Sequence, residues 1–481
     1  MCWPVIVAVA VIAAAWLFRI NSAMQSVPDE ARKASPRRWT KTDLRDTFER
    51  LKQKPIDFTK LLPPRLERRY VIVGGSGLVG GDIVLQLLQR GESPESIRVV
   101  DFVPLNRRDM VERAAGCDFV KADITSRSSV EAAFSKPWPG SVAKNPLTVF
   151  HTAAAVRPQE RSPLLYHRIS KVNRDGAVNV LETARAAGAD IFIATSSASV
   201  NIIPPNFWVW PWQSSPPNYL QIASEKDFDL PLRPHHRFFS NYARSKAEAE
   251  RAVCAANQEG FRTGTIRPGN PIYGQKTDPI LGAVLQTGDN ITWISHVVQN
   301  FVNSRNVALS HLQFEAALAQ KPMPACAGRT FNVTDKGPPI NFADLYGAAE
   351  ELSVTPVRVA RVQPLLLFLL AHVIEAWCLL LARLPFLTTV LGLREPSGPI
   401  HMLQPSVFTI SIHTIVDDSA AKKSVAEGGF GYQGGCTTIE GVCEAIMEWN
   451  LEHEGADSAP GGAPAASKAA KAALTAKGAA A

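Results

Sequence analysis

The sequence predicts an α/β fold: a doubly wound parallel sheet with a smaller C-terminal substrate-binding subdomain, an N-terminal membrane anchor and a disordered C-terminal tail. Three observations carry that expectation. β-Branched runs alternate with helical patterns in the order βαβαβ between Tyr70 and Pro268, the arrangement of parallel strands joined by helical crossovers. The first run opens into a glycine-rich turn and a helix, which places a ligand at the carboxyl ends of the strands. The chain ends differ from its middle: Trp3 to Phe18 is almost unbroken apolar sequence, while residues 455–481 are mostly Ala, Gly, Pro, Ser and Lys, a composition unable to bury a core.

No basic residue precedes the apolar start, whereas Arg19, Arg32, Lys33, Arg37 and Arg38 follow it. A cleaved signal peptide carries its positive charge in front, so residues 1–20 are expected to be a transmembrane anchor with the catalytic domain facing the cytosol. At helical rise, Trp3 to Phe18 reaches about 24 Å, a length suited to the thin endoplasmic reticulum membrane. Residues 21–67 are expected to be a partly helical linker.

Residues 68–270 are expected to form a Rossmann-type dinucleotide-binding domain. Tyr70 to Val73 reads as a strand, Gly74-Gly75-Ser76-Gly77-Leu78-Val79-Gly80-Gly81 as a tight turn, and Asp82 to Leu88 as a helix. Glycines 74, 77 and 80 let the backbone approach a pyrophosphate, and the helix N-terminus offers its free N–H groups to the anion. Ile97 to Asp101 is a second strand whose terminal acid, 21 residues after Gly80, is placed to accept from a ribose hydroxyl. That carboxylate favours NAD over NADP, while Arg107 and Arg108 could reach a 2'-phosphate if their loop folds back. Cys117 to Val120 and Leu147 to His151 follow as strands three and four, with a helix from Ser128 to Phe134 between them. Asp123 is either an acceptor for the adenine amino group or an ordinary loop carboxylate. Ile191 to Ser197 is an apolar strand ending in hydroxyls, and Gly264 to Pro268 another strand.

Between these last two strands lies Asn241-Tyr242-Ala243-Arg244-Ser245-Lys246, which sets a phenol and an ammonium four residues apart on one helical face. A tyrosine with a pKa near 10 is a poor proton acceptor, but a cation beside it stabilises the phenolate and lowers that value. The pair is a candidate acid/base catalyst, and Ser197 should face the same crevice.

Several motifs occur in one order: Gly74-x-x-Gly77-x-x-Gly80, His151-Thr152-Ala153-Ala154, Val172-Asn173, Thr195-Ser196-Ser197, Tyr242-x-x-x-Lys246 and Arg267-Pro268-x-x-Pro271-Ile272-Tyr273-Gly274. Together they resemble an extended short-chain dehydrogenase/reductase. Asn306-Val307-Ala308-x-x-His311 and Gly328 to Asp335, followed by a long apolar segment, are similar to the 3β-hydroxysteroid dehydrogenase/isomerase branch, and to its sterol-4α-carboxylate 3-dehydrogenases (decarboxylating) in particular. The resemblance spans roughly residues 68 to 452. It implies that Tyr242 accepts the proton of a 3β-hydroxyl, that Lys246 lowers the tyrosine pKa and binds the nicotinamide ribose, and that Ser197 rather than Ser196 orients the reacting oxygen. It further implies NAD contacts from Gly74, Ser76, Gly77, Leu78, Val79, Gly80, Asp101, Asp123, Ile124, Ala153, Ala154, Asn173, Tyr242, Lys246 and Pro268. The implied partners are a sterol or steroid and membrane lipid, and the implied location is the endoplasmic reticulum membrane; a homo-oligomer or a complex with other sterol-pathway enzymes stays open.

One departure is the 45-residue gap from Ser197 to Tyr242, longer than usual in the family. Its segment 203–237 holds Pro204, Pro205, Phe207, Trp208, Trp210, Pro211, Trp212, Pro216 and Pro217, and is expected to be an apolar lid, a membrane contact or a packed surface loop. Residues 271–454 should form the substrate-binding subdomain, apart from a core strand near 329–333. Within them, 364–386 is expected to associate with a membrane. Leu365 to Ala382 is long enough to span, yet His372 and Glu375 interrupt it; a Glu at mid-bilayer is costly, so partial immersion is favoured, with that pair satisfying each other.

Seven cysteines without a CxxC pair indicate neither a zinc site nor a disulfide framework. The 51 basic against 44 acidic residues give a net charge of +7, which suits anionic headgroups, and no motif supports nucleic-acid binding. Two other functions compete with sterol oxidation. One is redox chemistry on another hydrophobic alcohol or ketone of specialised metabolism; the other is a non-catalytic, membrane-tethered dinucleotide-binding scaffold, which has no need of Ser197, Tyr242 and Lys246 together.

Overall fold

In the computed structural model, residues 3–454 are described; the tail expected at 455–481 lies outside them. Seven parallel strands form the central sheet: β1 (Arg69–Val73), β2 (Ile97–Asp101), β3 (Asp118–Lys121), β4 (Leu147–His151), β5 (Ala189–Thr195), β6 (Arg262–Pro268) and β7 (Thr330–Val333). Their order is β7-β6-β5-β4-β1-β2-β3, so the winding reverses between β1 and β4. That is the doubly wound Rossmann order, with its ligand crevice at the reversal. β2 and β4 coincide with their expected bounds, whereas β5 stops at Thr195 and leaves Ser196 and Ser197 in the turn beyond it.

The strands are buried on both faces, which is why they read as near-continuous apolar runs. Tyr70, Ile72 and Phe150 pack on one face against helix α2 (Leu78–Gln89) and the helix Ser304–Leu318. Val71, Val73 and Phe192 pack on the other against Ala177–Ala186 and the C-terminal end of helix α3 (Asn241–Ala255). Between residues 21 and 67, the helix Lys41–Gln53 starts at a Thr40 capping box and buries Leu44, Phe48 and Leu51 in the same cluster as Val442, Ile446 and Trp449 of the helix Thr438–His453.

A second, four-stranded sheet runs Ile340–Asn341, Val298–Gln299, His413–Val416, Leu220–Ala223. Leu220–Ala223 comes from the Trp- and Pro-rich insertion and pairs in parallel with His413–Val416, so part of that segment is sheet rather than loop.

The described residues include two helices long and apolar enough to cross a membrane, α1 (Trp3–Ala23) and α4 (Pro364–Arg383). Most of α1 is exposed, but its C-terminal end is not: Ile20 and Ala23 are buried. α4 buries Leu365, Phe368, Ala371, Ile374, Cys378 and Leu381 at helical spacing and leaves Leu366, Leu370 and Val373 exposed on the opposite face. The expected pairing of His372 with Glu375 is not formed. Arg161 holds the Glu375 carboxylate with two bonds of 2.6 Å, and His372 Nδ1 bonds the Phe368 carbonyl at 3.1 Å. A guanidinium from the loop after β4 is the stronger partner for a carboxylate than a neighbouring imidazole.

Candidate active site

The glycine turn between β1 and α2 is fixed by contacts that leave no room for side chains. Gly74 has φ +86°, and a Cβ there would lie 2.5 Å from Ala153 N; a Cβ at Gly80 would lie 2.3 Å from the Gly74 carbonyl oxygen. Gly77 caps α2, with Leu78 and Val79 opening the helix and their N–H groups at its N-terminus. Thr152, just past β4, donates through its hydroxyl to the Val73 carbonyl at 3.0 Å and brings Ala153 and Ala154 up to the turn. The crevice between β1 and β4 therefore has a floor of bare backbone, the cradle a pyrophosphate needs.

Asp101, at the end of β2, accepts from the backbone N–H groups of Ser76 at 2.9 Å and Val103 at 3.1 Å, which places its carboxylate beside the glycine turn. Arg107, one of two candidates for a 2'-phosphate, is committed elsewhere: it bonds Asp82 and Asp109 at 2.6 Å and the carbonyls of Gly77 and Leu78. Arg108 is exposed and lies 3.7 Å from Glu452. Asp123 is exposed and accepts from the Thr125 N–H and hydroxyl of its own loop, while Ile124 packs against Gly176. Pro268 ends β6 inside the sheet.

The second half of the crevice is held by Asn173, in a π-helical turn over Lys171–Gly176. Its side chain bonds both Ala155 N–H at 2.8 Å and Ala155 O at 3.0 Å, and donates to Ser245 Oγ at 3.1 Å. This clamp ties the loop after β4 to α3, one residue from Lys246. Such turns recur at functional sites because they re-aim a side chain within a helix.

Lys246 is buried and donates to the Thr195 carbonyl at 2.7 Å, so its ammonium lies at the carboxyl end of β5. Burial pulls its pKa down to about 8, against an upward pull from Glu250. Burial, helped by the same ammonium, holds His151 at the end of β4 down at about 3, a neutral imidazole throughout the working range. Ser197 caps the short turn Ala198–Asn201; its Oγ lies 2.8 Å from Ser199 Oγ and 3.5 Å from Asn270 Oδ1. Its hydroxyl also acts on the Tyr242 phenol and favours the phenolate.

The expected depression of the tyrosine is not present. Burial pushes the Tyr242 phenol above its usual value, and the opposing pull of Ser197 does not overcome this. Lys246 is turned to Thr195 O instead of to the phenol.

Tyr242 also packs against an apolar cluster that no single motif announces. Ile20, Ala23 and Met24 at the end of α1 meet Phe207, Val209 and Tyr219 of the insertion, Ala243 and Ala247 of α3, Leu365, Phe368 and Ala371 of α4, and Phe408 and Ile412. Trp16 Nε1 donates to the Val209 carbonyl at 2.8 Å, and Arg19 bonds the carbonyls of Pro211 and Gln213. Trp208 lies 5.7 Å from Phe368 and 6.3 Å from His372, ring to ring. The sequence motifs include His151 without giving it a role and pass over Asn270, beside Ser197, and Trp293, on the same cluster as Tyr242; for Asn270 the available signal was the Pro271 that follows it directly after β6.

Residues 71–352 match the family described as 3-beta hydroxysteroid dehydrogenase/isomerase. Short-chain dehydrogenase/reductase family 42E member 1 of Mus musculus is 27% identical over 339 residues, which cover 67% of this chain and 78% of that protein. Sterol-4-alpha-carboxylate 3-dehydrogenase, decarboxylating, of Schizosaccharomyces pombe is 25% identical over 360 residues, 72% of this chain and 93% of the relative. Among solved structures, an epimerase of Methanothermobacter thermautotrophicus has a TM-score of 0.54 at 14% identity, covering 83% of this chain and 96% of its own. UDP-glucose 4-epimerase of Thermotoga maritima has a TM-score of 0.52 at 16% identity, covering 80% and 99%. These two likenesses are in fold.

Proposed function

Because the chain belongs to the 3-beta hydroxysteroid dehydrogenase/isomerase family, oxidoreductases acting on CH–OH groups, we propose that it oxidises the 3β-hydroxyl of a sterol or steroid with NAD. The observation that carries this reading is the apolar cluster against which Tyr242 packs, built jointly from α1, the insertion and α4. That cluster walls the phenol with apolar side chains, surroundings that suit a lipid-soluble alcohol. The bare glycine cradle and Asp101 fit the dinucleotide, and the commitment of Arg107 to Asp82 and Asp109 favours NAD over NADP.

A bound oxidised dinucleotide supplies the hydride acceptor and a positive charge beside the phenol. Tyr242 Oη takes the hydroxyl proton as the carbinol C–H bond breaks and the C=O bond forms, while Ser197 Oγ orients the reacting oxygen. Lys246, held at the carboxyl end of β5 by the Thr195 carbonyl, is the residue that would bind the nicotinamide ribose. The clamp made by Asn173 holds α3 at the end of β4. With a 4-carboxylate on the substrate the product is a β-keto acid; its carboxyl group leaves as carbon dioxide and the bonding pair passes into the new ketone as an enolate, which then takes a proton.

In the same reading, α1 anchors the protein in the endoplasmic reticulum membrane with the sheet on the cytosolic side, and the exposed face of α4 rests in the headgroup region. Residues 68–270 bind the cofactor and 271–454 the substrate. The insertion's departure from the family length leaves a second reading, oxidation or reduction of a different hydrophobic alcohol or ketone.

Purified protein with NAD and a 4-carboxysterol should form NADH. Tyr242→Phe should lower kcat by roughly 100-fold to 10,000-fold and leave the NAD Kd within a few fold. Cofactor binding without turnover of any sterol overturns the reading.

A further inference from the structure

Away from the apolar cluster around Tyr242, three groups with different donor atoms meet at the far end of α4. Cys378 lies ten residues beyond Phe368, about 15 Å along the helix axis. The chain then turns back and brings up Glu395 and His401, the latter in the short turn Pro399–Met402. A sulfur, a carboxylate oxygen and an imidazole nitrogen from these residues all lie within 4.8 Å of one another, with Cys378 buried and the other two half-buried. Two buried atoms here are left without hydrogen-bond partners. One is His401 Nδ1, 3.8 Å from Glu395 Oε2. The other belongs to Glu160, which is 1% exposed: Arg157 and Arg168 both bond its Oε1, at 2.6 Å and 3.1 Å, and leave Oε2 unpaired. Arg168 also holds both oxygens of Glu395, at 2.7 Å and 3.2 Å, so the two carboxylates share one guanidinium. A buried imidazole nitrogen and carboxylate oxygen without partners work against folding, and a bound cation relieves that cost.

We infer that Cys378, Glu395 and His401 bind a zinc ion, with water completing the tetrahedron. The donor set selects the metal: thiolate, imidazole and carboxylate together suit Zn2+, whereas Mg2+ and Ca2+ take oxygen ligands. Around one zinc a sulfur and a nitrogen stand about 3.5 Å apart, so the observed spread closes by side-chain movement of roughly 1 Å. Carboxylates that bind a metal are themselves held by outer partners, the part Arg168 plays for Glu395, and Glu160 offsets the charge of that guanidinium. The thiol gives its proton to solvent as the sulfur–zinc bond forms, and no electron is transferred. The ion ties the segment after α4 back onto that helix and, through Arg168, onto the turn His167–Ser170; it takes no part in hydride transfer. The absence of paired cysteines gave no sign of it, because a mixed set drawn from three separate places in the chain has no local spacing to read.

The full chain, purified in detergent and stripped with a chelator, is titrated with cobalt(II) and then with zinc. One equivalent of cobalt should produce a thiolate-to-cobalt charge-transfer band, and one of zinc should bleach it. Cys378→Ser should abolish the band, and His401→Gln should weaken zinc binding by roughly 100-fold or more, each with the NAD Kd within a few fold of the unsubstituted protein as the check on folding. Zinc should also slow proteolysis between Leu384 and Gln404 in the unsubstituted protein and in neither variant. His401 is only half-buried, so His401→Gln decides the matter even where Cys378→Ser does not fold. No band in the unsubstituted protein, or metal affinities that His401→Gln leaves unchanged, overturn the inference.

Discussion

Lys246 shows how a functional group is held against its own stability. Its pKa falls from 10.5 to about 8 on folding, so the folded state disfavours the charged form. The sign follows by linkage: the cost is full below pH 8, shrinks as the pH rises, and is gone above the unfolded value. A shift of that size corresponds to about 3 kcal/mol. Lys246→Met should therefore lose nearly all activity and yet unfold at the same temperature or higher at pH 7, with the advantage fading towards pH 10; thermal unfolding across that range measures it. Loss of stability at pH 7 in this variant would show that the bond to Thr195 O outweighs the buried charge. His151 makes the complementary case: with its pKa held at about 3, it contributes no titration to the rate profile between pH 5 and 9, where Lys246 loses charge.

At the level of elements, the glycine turn and α4 respond to substitution in different currencies. Gly80→Ala puts a methyl 2.3 Å from the Gly74 carbonyl and 2.6 Å from Thr152 Oγ1, both part of the dinucleotide cradle. Its NAD Kd should rise by about 10-fold or more, read by titration of the cofactor, with little change in sterol binding. Phe368 is 4% exposed and its ring meets Phe207, Trp208, His372 and Phe408. Phe368→Ala should cost about 3–5 kcal/mol of stability and raise the sterol KM more than the NAD Kd, since it loosens the apolar cluster and not the cradle. Denaturant unfolding and steady-state kinetics on one preparation separate the two effects.

Across the whole molecule, the two apolar helices are joined through the insertion rather than lying apart. Stacked Trp210 and Trp212 are 61% and 77% exposed, and Leu366, Leu370 and Val373 are exposed on α4, so apolar surface continues past α1. Removal of residues 1–12, which keeps Trp16 and Arg19 on the insertion, should leave a protein that still floats with liposomes but is released by mild detergent. Adding Leu370→Asp and Val373→Asp should abolish flotation. A truncated protein that is wholly free of lipid on its own would show that the α4 face does not meet the membrane.

The alternation of strands and helices, the glycine turn, the acid ending β2 and the Tyr242 to Lys246 spacing were legible in the chain because each depends on neighbours in sequence: alternation of apolar runs, backbone freedom at glycine, a helical period. Tertiary structure alone decided three other matters. Glu375 chose Arg161 over His372, the insertion gave a strand to the second sheet, and burial set the Tyr242 phenol above its usual pKa where a nearby lysine had promised the reverse. All three are settled by which groups distant in the chain meet and by how much water they exclude, quantities that no local pattern encodes.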